Sequence, residues 1–587
     1  MKNISVNKNI AWSTALVKEL AANGVRFACI SPGSRNTPLT IAFASNKKIK
    51  KYVSIDERSS GFFALGLAKV KKEPVVIVTT SGTATAELYP AIIEAYKQRL
   101  PLVVCTADRP PGFLERGANQ TINQQNLYEN HIRFFKDMGI PKLTVNKIKN
   151  LRKTVKVGVD ISLYQNPGPV HFNFPFDKPF EPDNFTDKID PSFKNVFQNK
   201  NSVSSFSIKP TKDFTYSKKL FKNLISDINK FEKGIIIVGP ENYKDDFHKK
   251  VVQLAGKLNY PILADGASQL RFTANSKKNL IANYDAFLRS PKFYRKHKPD
   301  IILHFGKTVT SKSLEDYLAD IKCQKYLINE YGDIFDSSNN TTASFKFLPS
   351  VFCNELIKKL VKKQNKHDWL DLFLNADSIT NVIKNKIITE AAFPTESRII
   401  TEVINLIPEH SNIMLSNSMP IRDFDYFAPN TNKKITVFNN RGASGVDGII
   451  STAAGIAERS KKTTVLLTGD IAFYYDINGL LIAKNTSAPL IIILINNNGG
   501  GIFRVLPISK YKNVFAKYFL ASHNLNFFAL TKGFSGKHTI IKNWEHFKSS
   551  FKTATKRHNL QVLEIKTDSI QSFNVRKQFW SKVRQSL

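Results

Sequence analysis

The sequence predicts an α/β protein built from three doubly wound parallel-sheet domains. Short β-branched runs alternate with helical patterns along 587 residues, and most of those runs end in a loop rich in Gly, Asn or Asp. Two polar stretches punctuate the pattern. They give domains at 1–185, 213–361 and 391–587, with 186–212 a linker and 362–390 a linker or helical connection.

In the first domain a helix closes over 18–24, and a strand over 26–30 enters the loop 31–38. A helix follows at 59–70, a strand at 74–79, a helix at 84–98 and a strand at 102–106. The second domain shows buried strands at 234–238 and 301–305, each ending at glycine. The third has strands at 412–415, 434–438, 463–467 and 490–495. Open parallel sheets bind ligands outside the carboxyl ends of their strands, so the chemistry is expected in these loops.

Composition excludes several classes. With 42% hydrophobic and 23% charged residues the chain is not globally disordered. Four cysteines, none in a CxxC pair, form neither a disulfide scaffold nor a structural zinc site. The longest apolar run, 488–495, is far short of the roughly 20 residues of a membrane span, and Lys18 and Glu19 interrupt any signal-peptide core. A cytoplasmic protein without membrane insertion is expected. The net charge of +37 raises nucleic-acid binding, but the excess is spread over all three domains with no basic tail. It reads as compositional background, and no nucleic-acid partner is expected. Gly442–Gly448 does not follow the GxGxxG spacing of a dinucleotide fold.

One pair of loops is specific. Gly469-Asp470 closes one strand, and Asn496-Asn497-Asn498-Gly499 closes the next. Magnesium takes oxygen ligands and is commonly completed by phosphates. The carboxylate of Asp470, the amide oxygen of Asn497 and the carbonyl of Gly499 would anchor it without crowding anions beside a diphosphate. The helix opening near Ile471 adds its dipole. Either loop alone would be an ordinary turn. Together they resemble the fingerprint of the thiamine-diphosphate enzymes, which implies thiamine diphosphate with Mg2+ or Mn2+ as cofactors. Pyrimidine-binding, central and diphosphate-binding domains are implied in that order.

Glu57, taken alone, is a helix-start carboxylate. Followed by a glycine-containing helix and by Val76–Gly82, it resembles the glutamate of that superfamily that hydrogen-bonds N1′ of the aminopyrimidine, with Ser81 and Gly82 beside the cofactor. Glu57 and Asp470 lie in different domains. In relatives the site joins two chains, so a homodimer or a dimer of dimers is implied.

Longer segments narrow the resemblance. Ser31–Leu39, Thr106–Pro111, Gly117–Gln120, Asn417–Arg422, Asn440–Gly448 and Asn496–Phe503 together resemble the family of 2-succinyl-5-enolpyruvyl-6-hydroxy-3-cyclohexene-1-carboxylate synthases over nearly the full chain. That family decarboxylates 2-oxoglutarate and adds the succinyl unit 1,4 to isochorismate in menaquinone biosynthesis. Both substrates are polyanions, which suits bidentate guanidinium groups. By motif, Ser34, Arg35, Arg109, Asn119, Gln120, Ser418, Arg422 and Arg441 would line the substrate pocket. Ile502, Phe503 and Leu506 would form its apolar wall, Val446 would support the bent cofactor, and Arg289 would add a looser contact. Singly, each arginine also suits a salt bridge. Asn36 stands where the family has serine, and Ala521-Ser-His523 departs from the family's Thr-Pro-His. The histidines show no matched acidic partner and receive no role. A sibling thiamine enzyme acting on smaller 2-oxo acids is the nearest alternative.

Overall fold

The computed structural model describes residues 4–114, 116–181, 187–189, 217–243, 246–273, 277–360, 368–557 and 560–587. Most of the expected linker 186–212, and residues 362–367 of the expected connection, lie outside the described residues. Each domain carries one six-stranded sheet in which every pairing is parallel. The sheets are covered on both faces, as parallel sheets must be, and the strands are accordingly continuous apolar runs. Residues Ile491 to Leu494 and Val75 to Val78 are wholly buried.

Strand order distinguishes the domains. The first sheet runs Lys50–Val53, Phe27–Ile30, Val75–Thr79, Leu102–Asp108, Val170–Pro175, Phe134–Asp137. The third runs Thr436–Asn439, Asn412–Leu415, Thr464–Gly469, Leu490–Asn496, Gln561–Lys566, Lys537–Ile540. Counted along the chain, both follow the order 2-1-3-4-6-5, whereas the middle sheet follows 3-2-1-4-5-6. In each outer sheet the order reverses between its first and third strands, which opens a crevice at their carboxyl ends.

Several expected elements shift. The helix expected over 84–98 is two, Thr83–Ala86 and Tyr89–Gln98, because Pro90 has no amide proton and sits in the first turn of the second piece. The helix at 59–70 begins at Glu57, capped by the Asp56 carboxylate, which accepts from the Ser59 amide at 3.1 Å. Asp187–Ile189 pairs antiparallel with Ile4–Val6.

The outer domains meet along the helices Glu57–Lys71 and Ile449–Ser460. A Cβ on Gly66 would come 2.2 Å from the Thr452 carbonyl, and one on Gly455 would come 2.2 Å from the Phe63 carbonyl. Two glycines therefore bring these helices to backbone contact. The middle domain locks onto the third through Arg271, whose guanidinium donates to the Ala264 and Asp425 carbonyls and to the Asp425 carboxylate at 2.8 Å. Gln269 adds a strand-like pair with Val437, donating to its carbonyl at 2.7 Å and accepting its amide proton at 2.9 Å. Among the described residues no helix is long and apolar enough to cross a membrane.

Candidate active site

The crevice of the third sheet holds a cavity of about 370 Å³. It is floored by the ends of three neighbouring strands: Asn417 and Ser418 after the first, Gly469 and Asp470 after the second, Asn497 and Gly499 to Gly501 after the third. Val446, Ile471, Ile502 and Phe503 supply apolar wall. Leu506 does not line it and is half exposed.

Asp470 is buried. Its Oδ1 accepts from its neighbour Ile471 at 2.8 Å and its Oδ2 from the Gly499 amide at 2.9 Å. Burial pushes the carboxyl above its ordinary range, against the pull of these two amides. Asn497 donates through Nδ2 to Glu396 Oε1 at 3.0 Å, while its Oδ1 is buried without a partner. Gly499 has φ +142°, and a Cβ there would come 2.1 Å from the Leu520 carbonyl.

These features fit a diphosphate-bound divalent metal. An unpartnered amide oxygen beside the Asp470 carboxylate is a hard-oxygen donor set. Glu396, Asp423 and Asp470 line the cavity, and no lysine, arginine or histidine does so among the described residues. A diphosphate among carboxylates requires a cation. Among the described residues no cluster of three or more His, Cys, Asp or Glu side chains is placed to hold a metal ion, here or elsewhere.

Ser418 takes φ +71°, an uncommon conformation for a residue with a side chain, and its carbonyl accepts from Arg422 at 2.7 Å. Asn417 ties this loop to Asn440–Gly448 by donating to the Asn440 and Gly445 carbonyls at 2.8 and 2.7 Å. Arg441, on that second loop, is partly buried. Desolvation lowers its pKa first, and it feels both Arg422 and Glu315 of the middle domain.

A second group assembles at the matching crevice of the first sheet. The loops after Phe27–Ile30 and Val75–Thr79 touch there, since a Cβ on Gly33 would come 2.3 Å from Thr80. Arg35 is buried, donates to the Phe176 carbonyl at 2.5 Å and lies over the Phe180 ring at 4.9 Å. Arg109 donates to the Asn119 carbonyl at 2.5 Å, and Ser81 to the Gln120 carbonyl at 3.0 Å. Ser34 precedes Arg35 in the same loop. Asn36 is buried and donates to the Ser31 carbonyl at 2.8 Å, the local bond expected of it.

Glu57 is half-buried, and burial raises its carboxyl above the ordinary value. Its neighbour Asp56 accepts from Asn478 of the third domain at 2.8 Å. No described residue of the first domain lines the Asp470 cavity. The two groups of site residues therefore stand apart within one chain.

Arg289 is engaged elsewhere: Nε donates to Asp285 at 2.8 Å and the guanidinium lies 3.9 Å above the Trp580 ring. His523 corrects the reading that no histidine has an acidic partner, for its Nε2 lies 3.3 Å from Asp470 Oδ2. The sequence separation of 53 residues hid that contact. Gln124 was also missed. Wholly buried, it accepts the Gly82 amide proton at 2.9 Å and donates to Asn173 at 3.0 Å, fixing the Gly82 loop. Its place four residues after Gln120 was the available signal.

The described geometry defines a thiamine pyrophosphate enzyme, and comparison agrees. Models of the N-terminal thiamine pyrophosphate binding domain, the middle domain and the C-terminal thiamine pyrophosphate binding domain match residues 11–127, 213–415 and 425–565. The fold resembles a thiamine diphosphate-dependent 4-hydroxybenzoylformate decarboxylase of Rhodococcus jostii, with TM-score 0.69 and 14% identity over 95% of this chain and 99% of that one. Within that class, the chain is 36% identical to the 2-succinyl-5-enolpyruvyl-6-hydroxy-3-cyclohexene-1-carboxylate synthase of Bacillus cytotoxicus, over 97% of this chain and 95% of the relative. The same enzyme of Haloarcula marismortui is 34% identical over 99% of both chains. The chain belongs to the 2-succinyl-5-enolpyruvyl-6-hydroxy-3-cyclohexene-1-carboxylate synthase family.

Proposed function

We propose that this chain joins the succinyl unit left by decarboxylation of 2-oxoglutarate to isochorismate in the 1,4 sense. The products are 2-succinyl-5-enolpyruvyl-6-hydroxy-3-cyclohexene-1-carboxylate and CO2, a cytoplasmic step of menaquinone biosynthesis. The observation that carries it is the carboxylate–amide–carbonyl cavity of Asp470, Asn497 and Gly499 in a chain of this family. Bound thiamine diphosphate supplies the nucleophilic carbon that lets a 2-oxo acid lose CO2.

The chain's residues do the rest. Asp470, Asn497 Oδ1 and the Gly499 carbonyl hold Mg2+ or Mn2+. Gly469 and Ile471 flank that anchor, and Val446 and Ile502 shape the cofactor's bed. Glu57, with its raised carboxyl, holds a proton at the pyrimidine ring, beside Ser81 and Gly82. Ser34, Arg35, Arg109, Asn119, Gln120, Ser418, Arg422 and Arg441 bind the substrate carboxylates and hydroxyls, Arg289 lies further out, and Phe503 excludes water. Guanidinium–carboxylate pairing gives the preference for dicarboxylates over pyruvate.

The working unit is a homodimer, alone or paired. Glu57 does not reach the Asp470 cavity of its own chain, and apolar Val53 and Ile55 beside it are 68% and 70% exposed. A second copy covers them and completes the site. The test combines protein, thiamine diphosphate, Mg2+, 2-oxoglutarate and isochorismate. CO2 release with loss of isochorismate is expected; no turnover by well-folded protein, or equal use of pyruvate, overturns the assignment.

A further inference from the structure

Under the cavity lies a buried ion network that includes none of the residues assigned above to cofactor or substrate. Arg576, on the C-terminal helix Ser569–Ser586, is 3% exposed. Its Nε donates to Asp423 Oδ1 at 2.6 Å, and its Nη2 bridges Asp423 Oδ2 and Glu396 Oε2. Glu396 Oε1 points the other way and accepts from Asn497 Nδ2 and Thr567 Oγ1, both at 3.0 Å. Glu396 and Asp423 both line the cavity.

The consequence follows from donor and acceptor counting. An amide has one accepting and one donating end, and its last torsion is soft. An ionised carboxylate only accepts, and a guanidinium only donates. With Arg576 fixing Glu396 as a carboxylate, Asn497 must turn Nδ2 toward Glu396 and leave Oδ1 facing away. That oxygen is the one found buried and unpartnered. Charge follows the same logic. The guanidinium offsets one of the two carboxylates it bridges, so with Asp470 the cavity keeps a formal double negative charge that favours a cation.

We propose that Arg576 and Glu396 are positioning residues for the metal: the C-terminal helix orders the amide of Asn497 so that its oxygen, not its nitrogen, faces the cation. The inference rests on the reading of Asp470, Asn497 and Gly499 as the metal site. Glu396→Gln is the discriminating change. Arg576 forces the new side chain to aim its oxygen at the guanidinium and its NH2 at Asn497, which then accepts through Oδ1 and presents Nδ2 to the cation.

The test titrates full-length protein and thiamine diphosphate with Mn2+, reading bound metal from the loss of the free-ion electron paramagnetic resonance signal. Glu396→Gln and Arg576→Lys should each weaken Mn2+ binding by about 10–100-fold, the usual effect of losing an outer-shell partner. Arg576→Ala would strand two buried carboxylates, so the lysine variant is used to keep the fold. Asp470→Asn and Asn497→Ala serve as controls. Weakened binding in the controls with unchanged Mn2+ affinity in Glu396→Gln and Arg576→Lys overturns the positioning role, even if their melting temperatures fall. Unchanged affinity in all four overturns the metal site itself.

Discussion

Asp470 Oδ2 accepts the amide proton of Gly499 at 2.9 Å, so one carboxylate ties together two strand-end loops 29 residues apart. In the proposed site Asp470 faces the cation and, through this tie, sets the loop that offers the Gly499 carbonyl. Asp470→Ala therefore removes one ligand and misplaces another, and leaves a buried amide without an acceptor. Ligand-linked stabilisation reads this directly. Thiamine diphosphate and Mg2+ at a hundredfold their dissociation constant should stabilise wild type by about 2.7 kcal/mol and the variant by almost nothing. Melting curves with and without cofactor check it. Equal shifts would remove Asp470 from the cofactor site.

Glu57 stands in a different domain from Asp470, and no described first-domain residue lines the Asp470 cavity. Glu57→Gln keeps the shape and loses the proton-holding carboxyl. Turnover should fall by about 10²–10⁴-fold, the usual worth of a positioned acid or base. Cofactor-linked stabilisation should remain as in wild type. Loss of that stabilisation in a folded variant would place Glu57 in the anchor instead.

The sequence shows the strands and the loops that end them, because apolar runs and Gly-Asp or Asn-Asn punctuation are local signals. It does not show strand order, which is decided by pairing across distant segments. The matching 2-1-3-4-6-5 order of the outer sheets, and the different middle one, appear only in three dimensions. Arg576 was illegible for a related reason. It sits among Lys577, Lys582 and Arg584 on a helix that reads as basic and solvated, and only its position against Glu396 and Asp423 makes it different. The arginines assigned to the substrate pocket stand out in the sequence because they lie in loops beside Gly, Pro and Asn. Arg289 rests only on a loose motif match, and Asp285, one helical turn back, pairs with it.

Gly66 and Gly455 fix how closely the first and third domains pack. Each Cβ would meet the other's Cα at 2.9 Å and a helix carbonyl at 2.2 Å, and backbone has no rotamer with which to yield. Alanine at 455 is otherwise favourable in a helix, by about 1 kcal/mol. The overpacking penalty, about 1–3 kcal/mol, outweighs that gain. Gly455→Ala should lower the melting temperature, and Gly66→Ala should add little further, because the first substitution has already parted the helices. A double-mutant comparison by thermal denaturation checks both. A stabilised Gly455→Ala would show that the helices separate freely.

Lys69 lies on the same seam, buried, and donates to Gln98 Oε1 at 2.5 Å and to the Asn439 carbonyl at 2.8 Å. Burial pulls its ammonium down from an ordinary 10.5 to about 7, although Glu94 nearby favours the charged form. Below pH 7 folded and unfolded chains both carry the proton, and folding bears the full cost of burying the charge. Between pH 7 and 10.5 the folded chain releases the proton while the unfolded chain keeps it. The unfolded state then binds more protons, so stability rises with pH. Lys69→Met removes the group and with it this dependence. The melting temperature of wild type minus that of Lys69→Met should therefore increase from pH 7 to pH 9.5. A flat difference would mean that Lys69 keeps its charge at the seam, held there by Glu94.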